Sequence, residues 1–382
     1  MPLEISTERG VTKVKKYNKS RCSNFKIILM LFILALQLFS GIGYSNVISN
    51  AAEIENTLDE IYISENNYTE DMKNIVEPYI NSRLESGYVD GDEGVKLYYE
   101  KYKVEDAKGN IVFCHGYTES LERYRELIYY FMKNGYNVFG VEHRGHGRSG
   151  SLGIADKTQL NVSNFNQYVT DFKVFMDEVV MPNNEDKKVL LFGHSMGGAI
   201  GTKFLEDYPG YFNGAILNAP MLEVHTGDIP KFLADIIVSF QVAIGNGGKY
   251  VLGKGPYTSD YKAEKIGTSS INRYEYSHKI IVKNEELQRG GASYNWTSEA
   301  FKVTKEITKK ENASKVEIPV LLFQAGKDTY VKPDGQNKFV EGAKNCEIIK
   351  MDNSRHEIYL ETDEIQKPYL KQVLDFYSEI DK

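Results

Sequence analysis

Residues 188–198 read KVLLFGHSMGG. Five residues of strand-forming character run into Gly193-His194-Ser195-Met196-Gly197, a G-x-S-x-G pattern, and a helical stretch follows to about Tyr208. A serine on so sharp a strand-to-helix turn is held at the sheet edge, on a helix N-terminus. Side chains flanking it would collide, which accounts for Gly193 and Gly197. Gly198, Ala199 and Gly201 then let the helix pack close to its neighbours.

Working outward, the same strand-then-helix alternation repeats. Strands are expected at Val95–Tyr102, Ile111–Cys114, Asn137–Val141, Lys188–Phe192, Gly214–Leu217, Val320–Phe323 and Glu347–Met351. Helices are expected at Leu121–Lys133, Phe165–Val180 and Ile365–Tyr377. Short continuous apolar runs alternating with helices mean a mostly parallel α/β sheet covered on both faces. The alternation breaks between about Met221 and Lys315, which reads as a mainly helical cap inserted over the C-terminal edge of the sheet, where ligands of such sheets bind. The expected division is a leader at 1–51, a helical extension at 52–84, core at 85–220, cap at 221–315 and core again at 316–382.

The 382 residues carry a net charge of −7. Residues 1–26 hold seven Lys/Arg and two Asp/Glu, and residues 27–51 hold no charge, so the body from 52 onward carries −12 (−7 less +5). An acidic body repels a phosphate backbone, which argues against nucleic-acid binding. The basic stretch followed by the 16-residue apolar run Ile27–Ile42 reads as an export leader. Ser49-Asn50-Ala51 offers small residues for cleavage before Ala52, and an uncleaved anchor is the alternative. Either places the body outside the cytoplasm. Three cysteines make no disulfide framework; Cys114 and Cys346 read as buried thiols.

A serine hydroxyl needs a base, and the base needs a carboxylate to orient it. In this kind of sheet the chain order is serine, acid, histidine. Only His356 lies beyond His278, five residues past EIIKM. Asp328 follows VLLF in the loop AGKDTYV and is the expected acid, with Asp334 and Asp352 as rivals. The tetrahedral oxyanion needs two N–H donors, expected from Met196 and from Tyr117 in the loop after Ile111–Cys114. His115 reads as structural, since His356 fills the proton-carrying role. His143 and His146 lack carboxylate or thiolate partners in their Gly/Arg loop, so no metal is expected there. GKYVLGKG (248–255) resembles a phosphate loop but lacks the Ser/Thr and the strand-to-helix setting.

Together HGYTES (115–120), Tyr124, HRGHGRSG (143–150), GHSMGG (193–198), Asp328 and RHEIYLE (355–361) resemble the monoacylglycerol lipase and lysophospholipase branch of the α/β-hydrolases, with serine aminopeptidase S33-type hydrolases. The resemblance spans about residues 80–380. In the cap, Arg273-Tyr274 and GGASYNW (290–296) are similar to bacterial inner-membrane lysophospholipases. The resemblance implies an α/β-hydrolase fold and hydrolysis of the carboxylic ester of a single-acyl-chain, amphiphilic lipid at a membrane surface. It implies no metal or organic cofactor, a triad of Ser195, Asp328 and His356, and oxyanion donors Tyr117 and Met196. Glu142 stands where Asp is expected, which bears on loop packing. Carboxylesterase, aminopeptidase and non-catalytic binding protein are the competing readings. Met196 in place of a Trp argues against a proline-releasing peptidase, and the intact set of three argues against a retired enzyme.

One further stretch, IPKFLADIIVSFQVAI (229–244), puts residues 229, 233, 236, 237, 240 and 244 on one helical face. The expectation is a cap helix packed on the core by that face, with an acyl-binding or membrane-touching wall as the alternative.

Overall fold

A computed structural model describes residues 58–381. The expected leader at 1–51 lies outside the described residues, as does the start of the extension. Eight strands form one sheet in the order β1-β2-β4-β3-β5-β6-β7-β8. They are β1 (Leu84–Asp90), β2 (Lys96–Tyr102), β3 (Gly109–Cys114), β4 (Tyr136–Val141), β5 (Lys188–His194), β6 (Gly214–Asn218), β7 (Val320–Ala325) and β8 (Cys346–Met351). β1, β2 and β4 pair antiparallel, and every pair from β4 through β3 to β8 is parallel. This is the expected mostly parallel α/β sheet. β1 is an addition at the start of the expected core: LESGYVD is a half-exposed edge strand, whereas the first expected strand begins at Val95.

The helices used below are α1 (Arg125–Lys133), α2 (Asn166–Phe175), α3 (Met196–Asp207), α4 (Lys231–Ala243), α5 (Ile271–Lys283), α6 (Tyr294–Ile307), α7 (Pro333–Gly342) and α8 (Asp363–Ile380). Successive strand residues point to opposite faces. Val112, Leu191, Leu217 and Leu322 therefore share one core with Phe172 of α2 and Ile200 and Phe204 of α3. Phe113 and Phe192 face the other way, 5.1 Å apart between ring centres, and meet Phe131 of α1, which meets Tyr377 of α8. Cys114 is buried, but Cys346 is only half-buried, because β8 is a sheet edge with one open face.

Between β6 and β7 the chain leaves the alternation as expected, with one difference. Trp296, Ala300, Val303 and Ile307 of α6 lie in the same buried cluster as the central strands. They recur at three, four and seven residues, the spacing of a helix face. This long helix near the end of the 221–315 stretch is thus a covering helix of the sheet. Before β1, residues 68–81 are helical, with a π turn at Met72–Val76. Arg273 of α5 ties the segment just before them, at Ile63, into the body. Its buried guanidinium donates to Ile63 O (2.8 Å) and Glu361 O (2.8 Å) and pairs with Glu126 (3.2 Å) and Asp363 (2.8 Å).

Candidate active site

Topology creates the site. The chain passes from β3 out to β4 and returns to β5 on the other side, so a crevice opens between the C-terminal ends of β3 and β5. Cys114 pairs with Gly193 across that crevice. The loop at 115–117 is thereby brought beside Ser195.

Ser195 sits at φ 50° and ψ −117°, a left-handed conformation disfavoured for a residue with a side chain. The flanking glycines differ in need. A Cβ on Gly197 would run into the carbonyl oxygens of Cys114 and His115. One on Gly193 would approach Gly197 O and Gly198 Cα at 3.2 Å, tight but not a collision. The expectation that both are sterically forced holds fully only for Gly197.

His356 Nε2 lies 2.8 Å from Ser195 Oγ, and His356 Nδ1 lies 2.6 Å from Asp328 Oδ2. Asp328 Oδ1 accepts from the N–H groups of Tyr330 (2.8 Å) and Val331 (3.0 Å), which fixes the carboxylate. Burial pulls the His356 imidazole down, but the charge and hydrogen bond of Asp328, aided by Glu357 and Glu119, outweigh it, and the net shift is upward from 6.5. Burial likewise pushes the Asp328 carboxyl up, and His356 with the two backbone N–H groups brings it below its ordinary 3.8. Each partner favours the other's charged form, so a proton arriving on His356 is stabilised. Of the rival acids, Asp352 lies exposed in the turn after β8, and Asp334 lies in the first turn of α7.

The expected donor Tyr117 lines the same cavity as Ser195 and His356. Among the described residues, no hydrogen-bond acceptor is taken by the N–H of Tyr117 or of Met196. The neighbouring Gly116 N–H is spent, donating to Glu119 Oε2 at 2.7 Å. Glu119 also accepts from Tyr124 (2.5 Å) and Tyr359 (3.2 Å), and its carboxyl is held far below its ordinary range by His194 and Arg123 against the opposing effect of burial. This buried carboxylate anchors the loop that carries Tyr117. Motif spacing does not reveal it, because its partners come from three separate segments.

His115 is occupied at both ring nitrogens: Nε2 accepts from His143 N–H (2.9 Å), and Nδ1 faces Gly116 O (2.9 Å). That is a structural role. His143 and His146 pack against His115 and Tyr168. Among the described residues no group of three His, Cys, Asp or Glu side chains is arranged around a metal position. Glu142 is fully buried and accepts from Leu121 N–H (3.2 Å) and from the Arg148 main chain and guanidinium. Its longer side chain spans the loop that an Asp would have to approach. Arg289, inside the expected cap, donates to Gly145 O (2.6 Å), Gly147 O (2.8 Å) and Gly150 O (2.7 Å) and so braces that same loop.

The cavity over Ser195 has a volume of about 570 Å³. Tyr117 and Thr118 line it together with Tyr261, Lys262, Lys265 and Tyr274 from the expected cap.

The packing of α4 reverses the expectation for 229–244. Ala234 (8% exposed) and Val238 (4%) face Tyr294 and Phe301 of α6. The other face, with Phe232 (64%), Ile236 (61%) and Phe240 (58%), is open, as are Ile229, Leu233, Ile237 and Ile244. Small residues make the intramolecular contact, and the large apolar ones point away from it.

Residues 105–363 match the serine aminopeptidase S33 family. A lysophospholipase of Escherichia coli is 30% identical over 301 residues, covering 75% of this chain and 86% of that protein. A monoacylglycerol lipase of Mycolicibacterium smegmatis is 30% identical over 156 residues, covering 41% of this chain and 53% of that protein. In fold, the chain is similar to a soluble variant of the monoglyceride lipase of Saccharomyces cerevisiae, with a TM-score of 0.61 at 19% identity over 78% of this chain and 96% of that one.

Proposed function

The chain belongs to the serine aminopeptidase S33 family of α/β-hydrolases, and from that premise we propose that it is a carboxylic ester hydrolase acting on single-acyl-chain lipids, lysophospholipids first. The observation that carries the chemistry is the chain of two short contacts, Ser195 Oγ to His356 Nε2 and His356 Nδ1 to Asp328 Oδ2. The lipid substrate is supported by the lysophospholipase matched along 86% of its length.

In this mechanism Ser195 Oγ attacks the ester carbonyl while its proton passes to His356 Nε2. Asp328 stabilises the imidazolium, which suits the upward shift of His356. The N–H groups of Tyr117 and Met196 receive the oxyanion. The C–O bond then breaks, and the leaving alcohol takes the proton from His356. Water, deprotonated by His356, attacks the acyl-Ser195 ester. The fatty acid leaves and Ser195 recovers its proton.

The open face of α4 supports a lipid surface as the place of work. Five large apolar side chains on one side of α4, with Ile229 and Ile244 just beyond its ends, are costly to leave in water and gain by entering an acyl layer. Among the described residues no helix is long and apolar enough to cross a membrane. The basic and apolar leader adds export, with secretion or anchoring at the outer face of the cytoplasmic membrane, to the proposal.

The test is a substrate panel with the purified full-length chain: a lysophospholipid, a monoacylglycerol, a short p-nitrophenyl ester and an aminoacyl amide. Fatty-acid release fastest from the lysophospholipid is expected, and Ser195→Ala should lower it by about a millionfold while remaining folded. Turnover of the amide alone, or activity persisting in the Ser195→Ala protein, would overturn the proposal.

A further inference from the structure

Six charged residues line the cavity above Ser195, and their partners divide them sharply. Arg123 pairs with Glu357 at 3.2 Å. Glu119 is committed to Gly116, Tyr124 and His194. Asp260, Lys262 and Lys265 remain. Among the described residues neither lysine ammonium has a carboxylate within ion-pair distance, although the body carries excess negative charge.

The turn bearing these lysines is fixed to the site. Lys265 N–H donates to Lys262 O at 2.8 Å, closing the turn. Arg355, next to His356, donates to Ala263 O (2.8 Å) and Thr268 O (3.0 Å). Tyr330, two residues after Asp328, donates from its hydroxyl to Lys265 O (2.7 Å). The loops carrying the acid and the base therefore hold the turn in register with Ser195. Against Asp260, the one other uncommitted charge on the lining, these two cations leave net positive charge on a tethered turn beside the nucleophile, which suits an anion attached near the scissile ester.

We propose that Lys262 and Lys265 read the phosphodiester of a lysophospholipid head group and so make the enzyme prefer it to an uncharged monoacylglycerol of the same chain. This rests on the ester-hydrolase reading above. The phosphate of a lysophospholipid brings a negative charge into the cavity that these ammonium groups line, whereas a free glycerol hydroxyl offers them no charge. The lysines bind and orient; the proton transfers stay with His356.

The experiment compares lysophosphatidylglycerol with monoacylglycerol, both with one short acyl chain and both below the concentration at which micelles form, so that no lipid surface contributes. For Lys262→Gln/Lys265→Gln, kcat/KM on the phospholipid should fall about tenfold, the effect of removing two exposed ion pairs. Monoacylglycerol turnover should stay within about twofold, which also reports that the variant is folded. Lys262→Arg/Lys265→Arg should keep the preference. Added salt should erode the preference of the natural chain and leave that of the Gln variant flat. An equal fall on both substrates, or no change on either, would overturn the proposal. If the natural chain hydrolyses neither lipid, it is the ester-hydrolase reading that fails; if it hydrolyses both and the lysines discriminate nothing, only the head-group assignment falls.

Discussion

Helices α3 and α4 are both rich in apolar residues, and the fold treats them in opposite ways. α3, which Ser195 caps, is buried along almost its whole length, with Gly197, Gly198 and Gly201 letting Cys114, Pro220 and Leu191 approach its axis. α4 buries only Ala234 and Val238 and leaves Phe232, Ile236 and Phe240 in the open. In α3 apolar character serves close packing that sets the geometry of one serine. In α4 it is surplus to the fold. Apolar content alone does not say which use a helix has: α3 buries its large side chains Ile200 and Phe204 as well as its glycines, whereas α4 buries only Ala234 and Val238 and leaves its large ones outside.

The largest effect that would sharpen this contrast is at Gly197. Gly197→Ala drives a methyl into the Cys114 carbonyl, so the turn must shift. We expect a loss of about 3 kcal/mol in stability and about a hundredfold in turnover, measured by denaturant unfolding and ester hydrolysis. Unchanged activity would mean that α3 is not held as closely as its contacts indicate.

Next in size is the open face of α4. Phe232→Ser/Ile236→Ser/Phe240→Ser should leave the melting temperature within about 2 °C, because little buried area is lost. Binding to phosphatidylglycerol vesicles, measured by co-sedimentation, should weaken at least about tenfold, while turnover of a short soluble ester is kept. A strongly destabilised variant would show that this face supports the fold after all.

The smallest effect lies in α3 itself. Glu206 is buried with neither carboxylate oxygen hydrogen-bonded, and burial pushes its carboxyl from 4.5 up to about 9 despite Lys203. The folded protein keeps this proton where the unfolded chain releases it. The cost is therefore absent below about pH 4.5 and grows as pH rises toward 9. Glu206→Gln should melt with the natural chain at pH 4 and about 4 °C above it at pH 8, by calorimetry. A constant difference across that range would mean that the carboxyl is ionised in the fold.

The central sheet was legible because β3 to β7 are continuous apolar runs, each buried on both faces. β1 was not, since LESGYVD alternates weakly at an exposed edge. α6 was placed with the cap because it follows a long break in the alternation, although Trp296, Ala300, Val303 and Ile307 already carry the stripe of a core helix. Ser195, Asp328 and His356 could be picked out by chain order and by the strands before them, and the structure brings all three together. Glu119, Arg123 and Arg289 could not, because each takes its meaning from partners in other segments. The periodicity of 229–244 marked an apolar face correctly but carried no information on what that face meets.

Arg273 limits how far the N-terminal part of this chain can be trimmed. One guanidinium gathers Ile63, Glu126, Glu361 and Asp363, four positions spread over three hundred residues, so the segment around Ile63 is a fastener of the folded body. A cut after Ala51 would leave every one of those bonds intact. A protease reaching past Ile63 would strand a buried cation's carbonyl contact and loosen the N-terminal helices from the sheet. The permissible window for trimming this chain therefore closes within about a dozen residues of Ala52, and the boundary is set by an arginine more than two hundred residues downstream.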